Sequence, residues 1–279
     1  MSSPIDLLTN LPFEWARYEF MRNALVAVLL VSPLFAIMGT LVVNNRMAFF
    51  SEAIGHASLT GLGLGVLLGM ADPRLALVGF ALVLSLGILV FHRLTRSSMD
   101  TIISLCMSFS IALGVVLLSR GGNFSRFNRY LIGDLLSITP QEIGWLFVTL
   151  VVVGGGLLFF YNHILLIGIN DSLARSRGVN TWGIQIVFVA SIVMVVTMNL
   201  SWVGILIINS LLILPAAAAR NLAGNTRDYV WLAVGIALVS GVGGLLVSYY
   251  SDTASGATIV LAAMGIYLVT LSLKALRRQ

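Results

Sequence analysis

Charge is what this chain has least of. Its 279 residues carry 16 Lys or Arg and 11 Asp or Glu, 10% in all, beside 58% hydrophobic residues and a mean hydropathy of +1.00. An ordinary soluble domain holds about 25% charged and about 45–50% apolar residues. No soluble fold of this size buries so much apolar surface or covers it with so few charges. A single cysteine, Cys106, excludes a disulfide scaffold; within an apolar run and without an intrachain partner, it reads as a small packing residue. Six prolines exclude a collagen-like chain, and the apolar composition excludes disorder. Lysine is nearly missing too. Lys274 is the only one and lies outside any Gly-x-x-x-x-Gly-Lys-Ser/Thr loop, so the chain has no conventional P-loop and does not hydrolyse ATP by that route. His-Glu-x-x-His and Gly-x-Ser-x-Gly are absent, which removes the support for a zinc protease or a serine hydrolase. What is left is a polytopic membrane protein.

The apolar runs fall at about 24–43, 50–70, 75–92, 101–119, 143–162, 182–199, 202–219, 229–250 and 254–273. A helical crossing needs about 20 such residues. The runs are continuous rather than alternating with period two, so they predict helices and not a barrel. The fold class is all-α, with eight or nine transmembrane helices joined by short connections. Residues 1–279 form one transmembrane domain, in which 1–22 is an interfacial N-terminal segment without the features of a removable signal peptide. No charge occurs from Gly178 to Ala219. That stretch would be about 63 Å long as one helix, twice a bilayer. The expected turn is at Asn199-Leu200-Ser201-Trp202, where a capping serine meets an interfacial tryptophan.

The net charge of +5 is not a nucleic-acid signal, because the basic residues are spread over many short inter-span segments. Nine crossings place ten of them on one side, among them Arg46, Arg93, Arg96, Arg175, Arg177 and Arg220. Six stand on the other, including Arg120, Arg126 and Arg129. The richer side is assigned to the cytoplasm.

Nearly all acidic residues sit at span ends, but Glu52 and His56 lie near the start of the second run. At i and i+4 they project from one face of a helix, a turn apart. Ionisable groups in a membrane helix are costly and usually face a cavity or an ion path. A carboxylate oxygen and an imidazole nitrogen suit borderline divalent cations such as Zn²⁺ or Mn²⁺. Two donors do not complete a shell of four to six; the others must come from further helices, from water or from a second copy. Spacing alone leaves an interfacial pair, with His56 bonded to a backbone carbonyl, equally open. Gly61, Gly65 and Gly69 follow on the same helix, and Gly61 stands roughly opposite Glu52. His92 and His163 read as interfacial histidines at span ends. Asn209, Ser104 and Ser108 lie within apolar runs, where interhelical hydrogen bonding is the usual role and lining a path the other.

Between the fifth and sixth runs, Asn170-Asp171-Ser172-Leu173-Ala174-Arg175-Ser176-Arg177-Gly178 predicts a short helix opened by Asn170 and Asp171 and ended by Gly178. It is either a plain polar loop or a docking element for a separate motor protein.

Taken together, these segments resemble the metal-type ABC-3 permeases, the membrane subunits of zinc- and manganese-uptake ABC transporters. The stretch from Asn45-Arg46-Met47 through Glu52 and His56 to Gly61 resembles the family's most characteristic motif. Gly133-Asp134-Leu135-Leu136-Ser137-Ile138-Thr139, Asp171 to Gly178, Leu211 to Arg220 and Asp252-Thr253-Ala254-Ser255-Gly256 follow in order. Two positions depart from the pattern: Glu52 stands where aspartate is usual, and Ala254 where proline is common. The resemblance implies a multi-pass protein of the bacterial inner membrane, not itself an enzyme, that imports zinc or manganese by alternating access. It implies a permease homodimer in the lipid bilayer, a cytoplasmic ATPase and an extracytoplasmic metal-binding protein, with no nucleic acid. It also implies metal contact by Glu52 and His56, ATPase coupling through Asp171, Ala174 and Gly178, and no resident cofactor besides the transported metal. The competing readings are a permease for cobalamin or siderophore-bound iron, a membrane enzyme using Glu52 and His56 as an acid–base pair, and a purely structural membrane subunit.

Overall fold

A computed structural model describes residues 13–95, 97–121 and 133–277, and among them the regular structure is helical, without strands. After a 3₁₀ turn at Glu14–Arg17 come α1 (Glu19–Asn44), α2 (Phe50–Leu67), α3 (Pro73–Leu94) and α4 (Met99–Gly121). A 3₁₀ turn at Leu135–Ser137 leads to α5 (Pro140–Thr149), which passes through a π-helical segment, Leu150–Gly154, into α6 (Gly155–Ile169). Then follow α7 (Asp171–Ser176), α8 (Thr181–Leu222), α9 (Thr226–Tyr250) and α10 (Ser255–Leu276). Seven of the described helices are long and apolar enough to cross a membrane, with α5 and α6 counted as one. The chain is a multi-pass membrane protein. Residues 1–12 of the expected interfacial segment, and Arg96, Arg126 and Arg129 of the charge count, lie outside the described residues.

The 42-residue α8 is divided as expected, but two residues later than the sequence suggests. Gly204 adopts φ 78° and ψ 157° inside it, whereas Ser201 and Trp202 stay helical. Those dihedrals belong to a region that a Cβ atom all but forbids. The chain therefore breaks at the nearest glycine, and a capping serine does not decide the place.

The chain sorts into two compact units, each assembled from separated stretches. The first contains residues 1–40, 132–155 and 202–279. Its interior includes a cluster of small side chains, Ala36, Ala219, Ala233 and Ala237, all fully buried. Small residues let helix backbones approach closely where lipid offers no hydrophobic driving force. The Asp134 N–H donates to the Trp202 carbonyl at 3.0 Å, so a short strap is tied to the broken part of α8. Thr139 opens α5 with a reciprocal capping box to Glu142, and Pro140 occupies the first turn. At the start of α10, Ala254 has φ −62° and ψ 117°, the backbone a proline ring would impose. Ala254→Pro is therefore expected to raise stability by about 0.4–1 kcal/mol through the unfolded state, measured as a later thermal transition of the purified protein.

The second unit contains residues 41–131 and 156–201. Here α2 and α3 form a hairpin held by glycine. A Cβ built on Gly61 would lie 2.5 Å from the Ala76 carbonyl oxygen and 2.9 Å from the Leu77 Cα; one on Gly65 would lie 2.9 Å from the Ala76 Cβ. Gly61→Val should cost about 1–3 kcal/mol through overpacking, seen as early aggregation in a heat-challenge chromatography series. An unchanged profile would mean that the two helices do not pack this closely. On another side of α2, the Thr60 hydroxyl meets the Ser110 carbonyl of α4 at 2.7 Å.

Candidate metal pair and coupling segment

The motif turn sets up α2. Arg46 takes a left-handed φ of 56°, and the Phe50 N–H donates to the Met47 carbonyl at 2.9 Å, starting the helix. Glu52 is then the third helical residue and His56 stands one turn on; both are half-buried. The next turn brings Thr60, whose hydroxyl also approaches the His56 carbonyl at 3.1 Å. Because a step of four residues turns a helix by only about 40°, Glu52, His56 and Thr60 form one slowly drifting column. Thr60 fixes the direction of that column, toward α4. Gly61 and Gly65 fix the other, toward α3. The helix thus has a smooth face for close packing and a separate polar face, as its spacing predicts.

Among the described residues, no three His, Cys, Asp or Glu side chains form a group able to hold a metal ion. Glu52 and His56 are one carboxylate and one imidazole a turn apart on α2. Cys106 is half-buried and free of disulfide bonding. Ser104 and Ser108 are exposed on α4, and Asn209 is half-buried on α8. His163 is exposed on α6, while His92, in the last turn of α3, has its Nδ1 buried. The sequence reading took both as ordinary interfacial histidines and missed the second environment. That environment is built from separate segments, and no local pattern marks it.

The short helix of the 170–178 segment is present. The Asn170 side chain accepts from the Leu173 N–H at 3.0 Å as an N-cap, and Asp171 pairs with Arg175 one turn on. Ala174 is fully buried and anchors the inner side. Gly178, at φ 77°, reverses the chain, and the Val179 N–H returns to the Ala174 carbonyl at 3.1 Å. This is a glycine-terminated helix end with its carbonyls satisfied. Asp171, Ala174 and Gly178 therefore share one rigid element, separate from the helix that carries Glu52 and His56.

Three likenesses bear on these features. The high-affinity zinc uptake system membrane protein ZnuB of Haemophilus influenzae is 30% identical over 256 residues, covering 91% of this chain and 97% of that protein. The manganese transport system membrane protein MntC of Listeria monocytogenes is 26% identical over 253 residues, 91% of this chain and 90% of the other. In fold, PsaBC from Streptococcus pneumoniae, solved in complex with a Fab, superposes with a TM-score of 0.77 at 23% identity, covering 95% and 93% of the two chains. The sequence pattern of the ABC 3 transport family matches residues 17–274. Glu52, His56 and the capped α7 helix all fall within that match, and the chain belongs to the ABC 3 transport family.

Proposed function

We propose that this protein is the membrane permease of an ABC importer for zinc or manganese ions, and that Glu52 and His56 hold the ion in passage. The observation that carries the reading is the coincidence of two things. The family match spans nearly the whole chain, and the one carboxylate–imidazole pair a helical turn apart in the sequence lies inside it, half-buried on α2. The names of the relatives, zinc for ZnuB and manganese for MntC, bound the cargo class.

In this reading the metal is cargo, and no resident cofactor is required. An extracytoplasmic binding protein delivers the ion, and a second copy of the chain or water completes the coordination shell. A separate cytoplasmic ATPase, docked on the 171–178 segment, supplies the energy that re-gates the helices from outward- to inward-facing. Two protein donors per chain hold a divalent ion only briefly, and passage needs that, because an ion bound through a full rigid shell would not leave.

The test is ATP-dependent uptake of zinc and manganese by the permease reconstituted in vesicles with its ATPase and binding protein. Uptake of one metal is the expected result; uptake of neither, with the complex assembled, contradicts the reading. The same vesicles test the role of the imidazole. Metal binds neutral histidine and competes with the proton, so uptake should fall as pH drops from about 8 to 5, across the reference histidine pKa of about 6.5. A flat profile would remove His56 from the path.

A further inference from the structure

The span made by α5 and α6 ends at Ile169, and near that end it exposes two polar side chains, Asn162 and His163. At 1.5 Å per residue they stand about 10 Å inside the helix end. Neither makes a hydrogen bond with another described residue; His163 meets only the Phe160 ring, edge-on, with 6.5 Å between centroids. Polar groups within a span are costly because lipid tails offer no partner, and they usually turn toward the protein interior or a cavity. These two line a groove of about 360 Å³ on the outer side of α6. Leu165, Leu166 and Ile169 give it an apolar wall, and Arg177 closes it where the chain returns after α7. No described carboxylate lines the groove. Asp171, the acidic residue closest to Arg177 in sequence, is paired with Arg175 instead.

We propose that this groove holds an anionic phospholipid, with its phosphate on Arg177 and its ester carbonyls at Asn162 and His163. The order of groups along α6 is the order of groups in such a lipid. Arg177 stands at the helix end, where headgroups lie. The two hydrogen-bonding side chains follow deeper, at the level of the glycerol esters. Leu158 and Phe159, both exposed, come one turn deeper again, beside the acyl chains. An ester carbonyl accepts hydrogen bonds and donates none, which suits a side-chain amide and an imidazole N–H. Arginine presents a planar fork that grips phosphate through two N–H groups. The membrane itself supplies the occupant. The charge count assigns this end of α6 to the cytoplasmic side, whose leaflet carries anionic lipid.

A lipid bound here fastens the end of α7 to the membrane. Arg177 is the C-cap residue of that helix, and its backbone N–H is bonded to the Leu173 and Ala174 carbonyls at 3.3 and 3.2 Å. A phosphate held by its side chain therefore fixes the place where the chain turns back onto α6. The lipid site is independent of the import reading and can be tested without transport.

The test is native mass spectrometry of the purified full-length protein in detergent, titrated with dioleoyl phosphatidylglycerol or with dioleoyl phosphatidylcholine. Wild type is expected to bind the first phosphatidylglycerol about fivefold more tightly than phosphatidylcholine, the factor that one arginine near a membrane surface supplies. Arg177→Gln should abolish the preference, and Arg177→Lys, which keeps the charge, should retain most of it. Asn162→Leu/His163→Leu should weaken both lipids several-fold, since the esters are common to both. That exchange places apolar side chains on an exposed surface of a span and should leave folding intact. Arg227→Gln, exposed in the first turn of α9 and outside the groove, should change neither affinity. Equal binding of the two lipids by wild type overturns the proposal, as does unchanged binding by Asn162→Leu/His163→Leu. A loss of preference in Arg227→Gln as large as in Arg177→Gln would reduce the effect to diffuse charge and overturn it too. If Arg177→Gln instead splits a dimer without altering lipid affinity, a second copy of the chain covers the groove and the lipid assignment fails.

Discussion

Glu52→Gln and His56→Ala are each expected to reduce metal accumulation by roughly tenfold or more, in cells that lack their own uptake system and express the permease with its ATPase and binding protein. Glu52→Gln preserves volume and hydrogen bonding but removes the charge; His56→Ala removes the only imidazole on α2. The close contacts of α2 with α3 and α4 are made at Gly61, Gly65 and Thr60, further along the helix. Membrane levels of both variants should therefore match wild type, and the loss should be in transport alone. Glu52→Asp keeps a carboxylate on a side chain one methylene shorter, the residue the resemblance makes usual here. It is expected to retain uptake and to shift the ratio of zinc to manganese measured by elemental mass spectrometry. Equal transport by wild type, Glu52→Gln and His56→Ala would make the pair structural.

The second large effect is on folding, at the place where α8 breaks. Gly133, at φ 77°, sits so close to α8 that an added Cβ would lie 2.2 Å from the Val203 carbonyl oxygen and 2.4 Å from its carbon. No rotamer relieves that overlap, because the obstacle is backbone. Gly204 itself holds φ 78° and ψ 157°. A side chain there costs about 1–3 kcal/mol in backbone strain alone. Gly133→Ala and Gly204→Ala should both cut the yield of monodisperse protein sharply and bring forward thermal unfolding, Gly133→Ala more so. Gly79→Ala is the internal control. That glycine is exposed on α3 with nothing within 4 Å of an added Cβ, so the substitution should be neutral or slightly stabilising. If Gly133→Ala matched Gly79→Ala in yield and thermal stability, the Gly133–Asp134 strap would not lie against α8 as described.

Much of this was legible in the sequence, and for definite reasons. Long apolar runs report helices because lipid allows the backbone no other partner, and each of the nine runs is helical. The α7 helix was legible because an asparagine cap and a glycine stop act locally, within one turn of their targets. Glu52 and His56 stood out because two ionisable groups at i and i+4 in an apolar run are expensive to keep there. What the sequence hid depends on distant contacts. Ser201 and Trp202 marked the break in α8 two residues early, because the decisive atom was the Cβ that Gly204 lacks. Nothing in Leu150–Gly154, a plain apolar stretch, marks the π-helical segment between α5 and α6. His92 looked like any histidine at a span end until the turn after α1 and helices α6, α7 and α8 closed a cavity around it.

The chain has only three histidines, so each can be tested singly as a metal ligand. The most direct measurement is X-ray absorption at the zinc edge of the purified permease loaded with one zinc per chain, in wild type and His56→Ala. An imidazole shell is expected in wild type, with nitrogen and oxygen neighbours at about 2.0–2.1 Å, and the imidazole signature should be lost in His56→Ala. An imidazole shell that persists unchanged in His56→Ala would place the metal on His92 or His163 and contradict the assignment of the transport path to Glu52 and His56.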